Sequence, residues 1–284
     1  MLSRILSAAL TGVHAVIVRV EVDIASGLPA FTTVGLPDSA VRESRERVRT
    51  AIRNAGFTFP ADRITVNLAP ADLRKEGTWF DLPIALGILA TTGALRRADP
   101  SPFAVVGELA LDGQIQPVRG VLAVALACRR ARIATLVVPP ANFPEASAVA
   151  GVRVVAAATL RDAVTLLAGG DVAAPPYPSV SDPPRVDEAD FSDVRGQAHA
   201  KRALEIAAAG GHNALLLGPP GTGKTMLARR LPSILPPLDA DEVLEVSAIW
   251  SVAGLLPAGA GLVGARPWRA PHHTISISGF VGGG

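Results

Sequence analysis

The sequence predicts a mixed α/β fold, and three observations carry that prediction. Valine or isoleucine at every second position from 16 to 24 alternates with mainly charged residues, which is the period of a half-buried strand. Several later stretches have apolar residues at helical spacing, with capping residues before them and glycines after them. The third observation is a glycine-rich turn between an apolar run and a helical pattern in the second half of the chain.

A proline-rich segment marks the predicted domain boundary. Ala174 to Arg185 reads APPYPSVSDPPR, and five prolines in twelve residues exclude a helix or a central strand there. We therefore predict a first domain over residues 1–172, a semi-rigid linker over 173–187 and a second domain over 188–284. The length of 284 residues is enough for two domains that each bury a core.

The first block reads as a series of short strands and helices. Its predicted elements are, in chain order, a strand at 16–24, a helix capped by Asp38 or Ser39 and closed by Gly56, a strand at 63–68, a helix from Pro83 to Gly93, a hairpin turning at Asp112-Gly113, a helix near 118–131, strands near 135–138 and 152–156, and a helix near 159–168.

Composition and charge exclude several classes of protein. Apolar residues make up 49% and charged residues 18%, which is typical of globular proteins and excludes a disordered chain. The net charge is 27 minus 25, or +2, so the chain is no bulk polycation and any DNA contact has to be local. The five arginines between positions 42 and 53 are interleaved with Glu43 and Glu46, so we interpret that helix face as ion-paired and solvated.

We expect a cytoplasmic protein that does not enter the membrane. The uncharged stretch from Val246 to Ala265 is long enough to span a bilayer, but its glycines and Pro257 disfavour a membrane helix. The apolar run at residues 5–10 is too short for a secretion signal. Cys128 is the single cysteine and therefore has no internal disulfide partner.

The second block contains the pattern G-x-x-x-x-G-K-T. Its eight residues are Gly218, Pro219, Pro220, Gly221, Thr222, Gly223, Lys224 and Thr225, between a predicted buried strand at 214–217 and a helical pattern from Met226 to Leu231. Glycines let the loop aim its backbone N–H groups at phosphate oxygens, and the following helix presents its positive end to them. The bland alternative is a glycine-rich turn that binds nothing.

The two residues that end this pattern have distinct chemistry. Lys224 is a mobile positive charge that reaches the β- and γ-phosphates, and the hydroxyl of Thr225 is placed to coordinate Mg²⁺. The predicted ligand is therefore a nucleoside triphosphate with magnesium. Hydrolysis also needs an acidic residue at the end of a second strand. The acidic residues after Thr225 follow no apolar strand run; they are Asp239, Asp241, Glu242 and Glu245.

The quoted motifs carry a resemblance to a known family. The stretch DFSDVRGQAHAKRALEIAAAGGHNALLLGPPGTGKTMLARRLPSILPPL from Asp190 closely resembles the magnesium-chelatase-like branch of the AAA+ ATPases. The stretches VEVDIASGLPAFTTVGLPDSAVRESRERVRTAIRNAGF and ITVNLAPADLRKEGTWFDLPIALGILA narrow the resemblance to the YifB/ComM family. In that family RPWRAPHHTISISGFVGGG is followed by an Asp-Glu strand, sensor elements and an arginine finger, so the resemblance implies a truncated product or fragment.

The resemblance implies that the first block has the fold of the Lon protease proteolytic domain, which works with a Ser-Lys dyad. Trp79 stands where the nucleophile would be, and Leu122 stands where the lysine would be. Neither side chain attacks a carbonyl or moves a proton, so we interpret this domain as a non-catalytic scaffold. The expected fold is thus a Lon-like α+β domain followed by an incomplete P-loop AAA+ α/β domain.

For the second block the resemblance implies ATP and Mg²⁺ as cofactors and, in the full-length form, a ring of six subunits that acts as a motor on DNA. Branch migration during natural transformation is the implied role. The resemblance also places Val194 and Gly196 beside the adenine. Four further residues belong to a family motif whose role does not follow from the sequence; they are Arg266, Arg269, His272 and His273. For its two adjacent histidines, packing or hydrogen bonding is favoured over binding of a shared metal ion.

Three alternatives to an ATP-binding motor module stay open. The first is an ATP-dependent peptidase of the Lon type, which would need a serine such as Ser39 or Ser44. The second is a subunit that inserts Mg²⁺ into a porphyrin, which we rank below the peptidase because that family's ATPase generally lacks the Lon-like domain. The third is a product that binds nucleotide without turnover, or that has no function.

Overall fold

The computed structural model describes residues 2–99, 101–172, 190–257, 259–272 and 274–282. The predicted linker at 173–187 lies outside the described residues. By contacts the chain divides into two units, of which the first is Met1–Ser181 with Leu244–Leu262. The second unit is Asp182–Val243 with Val263–Gly284. The contacts group residues 244–262 with the first unit. The predicted domain bounds at 172 and 188 stay a prediction.

The first unit is built on a seven-stranded mixed sheet. Its strand order is β3-β4-β2-β1-β5-β8-β9, with β6 and β7 forming a separate hairpin. Pairing is antiparallel where β2 meets β1 and β4, and parallel elsewhere in the large sheet. The strands are β1 Leu2–Thr11, β2 His14–Ala25, β3 Ala30–Val34, β4 Arg63–Ala69, β5 Phe103–Val105, β6 Glu108–Leu109, β7 Ile115–Gln116, β8 Thr135–Val138 and β9 Arg153–Ala156.

Helices cover this sheet and form most of the second unit. They are α1 Ser39–Asn54, α2 Asp81–Thr91, α3 Val121–Arg130, α4 Phe143–Ser147, α5 Leu160–Leu167, α6 Ala198–Gly210, α7 Lys224–Arg230, α8 Ala240–Ala253 and α9 Ile277–Val281. Among the described residues, no helix is long and apolar enough to cross a membrane.

Local signals in the first block correspond to the observed elements. Asp38 caps α1 by accepting a hydrogen bond of 2.8 Å from the N–H of Val41. The predicted helical stripe of α1 is buried, with Val48 and Ile52 at 0% exposure. The hairpin of β6 and β7 encloses Asp112-Gly113 as predicted. The predicted mixed α/β class is therefore confirmed.

Three strands of the sheet were not predicted: β1, β3 and β5. Residues 2–11 form β1, which pairs with β2 along its whole length and with β5 on its other side. Ser7, Ala8 and Ala9 are buried in succession, because a central strand is covered on both faces and loses the apolar–polar alternation. The short apolar run at 5–10 therefore belongs to the core of the first unit.

The predicted strand at 214–217 is wrong in this structure. Residues 212–219 form no regular secondary structure, and Leu215 and Leu217 are 82% and 84% exposed. A strand needs a neighbour to satisfy its N–H and C=O groups, and the described part of the second unit contains no other strand. The buried residues of this unit form a small core instead; they are Phe191, Val194, Leu204 and Leu227.

Candidate functional site

The G-x-x-x-x-G-K-T loop forms a turn that depends on glycine. Gly221 and Gly223 each have a φ of 83°, a left-handed conformation that side-chain-bearing residues rarely adopt. A Cβ atom at Gly221 would meet nothing within 4 Å, so the loop there borders open space. Lys224 is the first residue of α7, which runs for seven residues and is stabilised through Leu227 in the small core.

Lys224 folds back over its own loop. Its Nζ donates hydrogen bonds of 2.9 Å to the carbonyl of Gly218 and 2.7 Å to the carbonyl of Pro219. In the described part of the chain no carboxylate pairs with this ammonium group. Neutral carbonyls hold the charge more weakly than an anion does, so a phosphate can replace them.

Unpaired donors surround the lysine. Within the described ranges, the backbone N–H groups of Gly221, Thr222 and Gly223 have no hydrogen-bond acceptor. The Thr222 hydroxyl donates to the Pro219 carbonyl at 3.0 Å, whereas the exposed Thr225 hydroxyl has no recorded partner. Free N–H groups, one ammonium group and one free hydroxyl are the donor set that a phosphate chain with Mg²⁺ requires, so these residues fit that ligand.

An open cavity of about 280 Å³ adjoins the loop. The hydrophobic wall includes Trp268, which is 46% exposed, and Arg229 adds a second positive charge. The remaining lining residues are Leu216, Lys224, Thr225, Ala228 and Ala270. All of them belong to the second unit, so the cavity and the loop form one local site.

The predicted adenine-side residues lie in the segment that precedes α6. Val194 is only 1% exposed and packs with Leu227 in the small core. Gly196 has a φ of 67° and is exposed. Their contact with adenine stays a prediction.

Sequence reasoning missed Gln197, whose side-chain amide donates a hydrogen bond of 3.0 Å to the carbonyl of Thr222. The backbone of Gln197 has a left-handed φ of 57°. The signal that would have found it is its position directly after the Val194–Gly196 segment.

Two acidic residues of the second unit are engaged in ion pairs. Asp193 forms an ion pair of 3.4 Å with Arg230, and Glu242 forms one of 2.9 Å with Arg266. Among the described residues, no group of three or more His, Cys, Asp or Glu side chains is placed to hold a metal. A magnesium ion at this loop would therefore have Thr225 as its protein ligand, together with phosphate oxygens.

The family motif near the C-terminus has a structural role at one position. Arg266 donates a hydrogen bond of 2.6 Å to the carbonyl of Pro236 and also forms the ion pair with Glu242. It therefore links two segments of the second unit. Nδ1 of His272 lies 2.8 Å from the hydroxyl of Thr274. His273 lies outside the described residues, and Arg269 is exposed.

The Lon-like positions of the first unit are part of its core. Trp79 is 7% exposed and packs edge-to-face on Phe80 with ring centroids 6.1 Å apart, and Leu122 is 0% exposed. Lys75 is fully buried, and its ammonium group donates to the carbonyl of Pro70. Burial lowers the pKa of Lys75 below its usual value. No Ser-Lys hydrogen bond occurs among the residues described, which gives the peptidase alternative no dyad.

A buried ion pair lies beside these positions. The Arg47 guanidinium contacts both carboxylate oxygens of Asp81, at 2.7 and 3.0 Å. Burial raises the pKa of Asp81 to about 6, and the hydrogen bonds from Arg47 act in the opposite direction. This pair joins α1 to α2 and has no substrate-facing group, so we assign it a structural role.

Comparison with known proteins identifies relatives for both blocks. Residues 20–142 match the family model described as subunit ChlI of Mg-chelatase, and residues 190–284 match that of magnesium chelatase, subunit ChlI. The competence protein ComM of Haemophilus influenzae is 46% identical over 293 aligned residues, covering all of this chain and 56% of ComM. The protein YifB of Escherichia coli is 44% identical over 286 residues, covering all of this chain and 55% of YifB.

A weaker similarity supports the Lon-like interpretation of the first block. A Lon protease of Chloroflexus aurantiacus is 30% identical over 135 residues, which is 45% of this chain and 16% of that protease. The chain spans about half the length of the ComM and YifB relatives it matches. On its two family matches and its similarity to ComM and YifB along the whole of this chain, the chain belongs to the magnesium-chelatase-like AAA+ family that contains these proteins.

Proposed function

We propose that the second unit binds ATP with Mg²⁺ at the loop from Gly218 to Thr225. The observation that carries this proposal is the combination of unpaired loop N–H groups with a Lys224 ammonium group that has only carbonyl partners. Lys224 would bind the β- and γ-phosphates, the N–H groups of Gly221 to Gly223 would surround them, and the Thr225 hydroxyl would coordinate the metal. When bound, the Mg²⁺ ion would neutralise part of the negative charge of the phosphates.

Lys224→Ala tests the proposal by isothermal titration calorimetry with ATP and Mg²⁺. Removing the ammonium group leaves the phosphates without their charged partner, and charge-assisted hydrogen bonds of this kind contribute about 1.5–3 kcal/mol, so we expect a loss of affinity of about tenfold to a hundredfold. Lys201→Ala is the matched control, since Lys201 lies on α6 of the same unit and its loss should leave affinity unchanged. Equal affinities of the wild type and Lys224→Ala would contradict the proposal.

We propose further that the intact protein uses this site as a DNA-directed motor, assembled as a ring. The support is the family membership, together with the name of its relative ComM, a competence protein. The test is a DNA-dependent ATPase and strand-exchange assay on a full-length member that carries the Lys224→Ala change. DNA-stimulated turnover that survives this change would contradict the motor proposal.

A second candidate function is nucleotide binding without turnover by the 284-residue chain itself. The observation that favours it is that no group of three or more His, Cys, Asp or Glu side chains among the described residues is placed to hold a metal, while Asp193 and Glu242 are engaged in ion pairs. A phosphate-release assay separates the two: sustained phosphate release by this chain contradicts binding without turnover.

A further inference from the structure

One edge of the sheet in the first unit collects positive charge. The strands β5, β8 and β9 are parallel neighbours, so their first residues lie side by side, with Phe103 paired to Thr135 and Thr135 paired to Arg153. Neighbouring strands are about 4.8 Å apart, so the three strand starts span about 10 Å. The loops that lead into these strands therefore meet at the same edge.

Five exposed arginines occupy that edge, and we call them the basic edge. Arg96 precedes β5, three arginines lie in the last turn of α3 and the following loop, and Arg153 begins β9. The set is Arg96, Arg129, Arg130, Arg132 and Arg153. In the described portion of the first unit, none of the five forms an ion pair. Arg97 is excluded because it stacks on Phe103 at 4.3 Å and donates to the carbonyl of Asp99.

Acidic residues do not neutralise this edge. The pKa of Asp99 lies below its usual value, mainly because the N–H of Ser101 donates to it, and less because Arg97 and Arg153 lie near. Asp171 follows Gly169, which approaches Ala98 closely, so the Asp171 carboxylate belongs to the same region. The five arginines of the basic edge outnumber Asp99 and Asp171.

Arg132 adds an argument from the backbone. It has a φ of 57° directly after α3, and its N–H donates to the carbonyl of Arg129 at 3.2 Å. Helices that end in this left-handed conformation usually carry glycine at that residue, because a Cβ atom is disfavoured there. An arginine at such a position allows the guanidinium group to be removed by Arg132→Gly without straining the backbone.

We propose that the basic edge binds the phosphate backbone of duplex DNA. Guanidinium groups bind phosphates through paired hydrogen bonds, and about 10 Å of duplex carries about six phosphate charges, which is comparable with five arginines that form no ion pair. The proposal rests on the proposed DNA-directed function and names a contact surface for it in the first unit. Contacts to phosphates carry no base-sequence information, so we expect binding at this edge to be independent of DNA sequence.

The test is fluorescence anisotropy with a labelled mixed-sequence duplex and the complete chain, without nucleotide, over a range of salt concentrations. The variant Arg129→Ala/Arg130→Ala/Arg153→Ala should lose about tenfold or more in affinity, and the slope of log affinity against log salt should fall by about 0.9 for each lost contact. The matched control is Arg42→Ala/Arg45→Ala/Arg53→Ala, which removes the same charge from α1 and should change affinity by less than about twofold.

Arg132→Gly separates binding from structure. Glycine adopts the left-handed conformation freely, so this variant should keep or raise the melting temperature while it weakens DNA binding. Equal losses in the α1 control, undetectable DNA binding by the wild type at low salt, or binding of phosphatidylserine vesicles in place of DNA would each overturn the proposal. Because the assay contains no nucleotide, a chain that binds DNA but not ATP upholds this proposal and contradicts the nucleotide proposal.

Discussion

The two units of this chain are stabilised in different ways. The first unit has a seven-stranded sheet with extensive apolar packing on both faces, whereas the second has a small core of Phe191, Val194, Leu204 and Leu227. The proposed nucleotide site lies in the second unit, where loop N–H groups are unpaired. A ligand that binds the folded form adds stability by mass action, so nucleotide can supply what this small core does not.

Polar interactions are also more deeply buried in the first unit than in the second. In the first unit the Arg47–Asp81 pair and the Glu145–Ser251 hydrogen bond involve fully or nearly fully buried carboxylates. In the second unit Asp193 and Glu242 form their ion pairs with 53% and 41% of the side chain exposed. Buried polar groups cost much more when they lose a partner, so substitutions in the first unit should have the larger effects on stability.

The largest effect is expected for Arg47→Ala. Asp81 is fully buried, and losing its guanidinium partner leaves an uncompensated charge, so we expect a loss of about 3–5 kcal/mol in the free energy of unfolding at neutral pH. Urea denaturation measures it. Arg45→Ala, which removes an exposed ion pair with Glu46, should cost less than about 1 kcal/mol.

The pH dependence of the same variant sharpens the test. The folded-state pKa of Asp81 is raised to about 6, above its unfolded value, so the folded state binds the proton more tightly. The contribution of this group to stability therefore increases as pH falls through 6 and is lost as pH rises through it. Without Arg47 the pKa of Asp81 rises further, so the deficit of Arg47→Ala should shrink on acidification. A deficit independent of pH would contradict the role given to this pair.

An intermediate effect is expected for Ser251→Ala. The hydroxyl of Ser251 donates a hydrogen bond to the buried carboxylate of Glu145. This carboxylate also accepts a hydrogen bond of 2.6 Å from the side-chain amide of Asn142. This contact holds the end of α8 against α3 and α4. The N–H of Gly120 also donates a hydrogen bond of 3.1 Å to the carbonyl of Ser251. Leaving the carboxylate without one donor should cost about 1–3 kcal/mol.

Limited proteolysis and pH provide the readouts for Ser251→Ala. Cleavage within residues 254–262 should become faster, because the local opening of this segment is easier. Burial raises the pKa of Glu145 and the Ser251 bond lowers it, so the variant's pKa should rise and its deficit should be smallest at low pH. Ser147→Ala on α4 removes an exposed hydroxyl and is the control. Equal cleavage rates in both variants would show that the buried bond does not hold the segment.

Local signals were enough to predict much of the fold and the loop. The Asp38 cap and the loop from Gly218 to Thr225 are set by residues a few positions apart, and each was recognisable for that reason. Long-range contacts were not predictable in this way: Gln197 reaches Thr222 across 25 positions, and Arg266 reaches Glu242 across 24. The burial of β1 on both faces removed the alternation that would have revealed it.

The smallest effect is expected for Leu217→Ala, and it tests the incorrect strand prediction directly. The pattern at 214–217 is typical of a buried strand, but Leu217 is 84% exposed, so its truncation should change stability by less than about 0.5 kcal/mol. The matched variant Leu204→Ala removes a side chain that is 2% exposed in the small core and should cost about 2 kcal/mol or more. Hydrogen exchange of the α6 and α7 amides reports the second unit separately. If Leu217→Ala accelerated that exchange as much as Leu204→Ala, residues 214–217 would be packed in solution, as the sequence pattern predicts. The difference in packing between the two units would then be smaller than the exposure of Leu215 and Leu217 indicates.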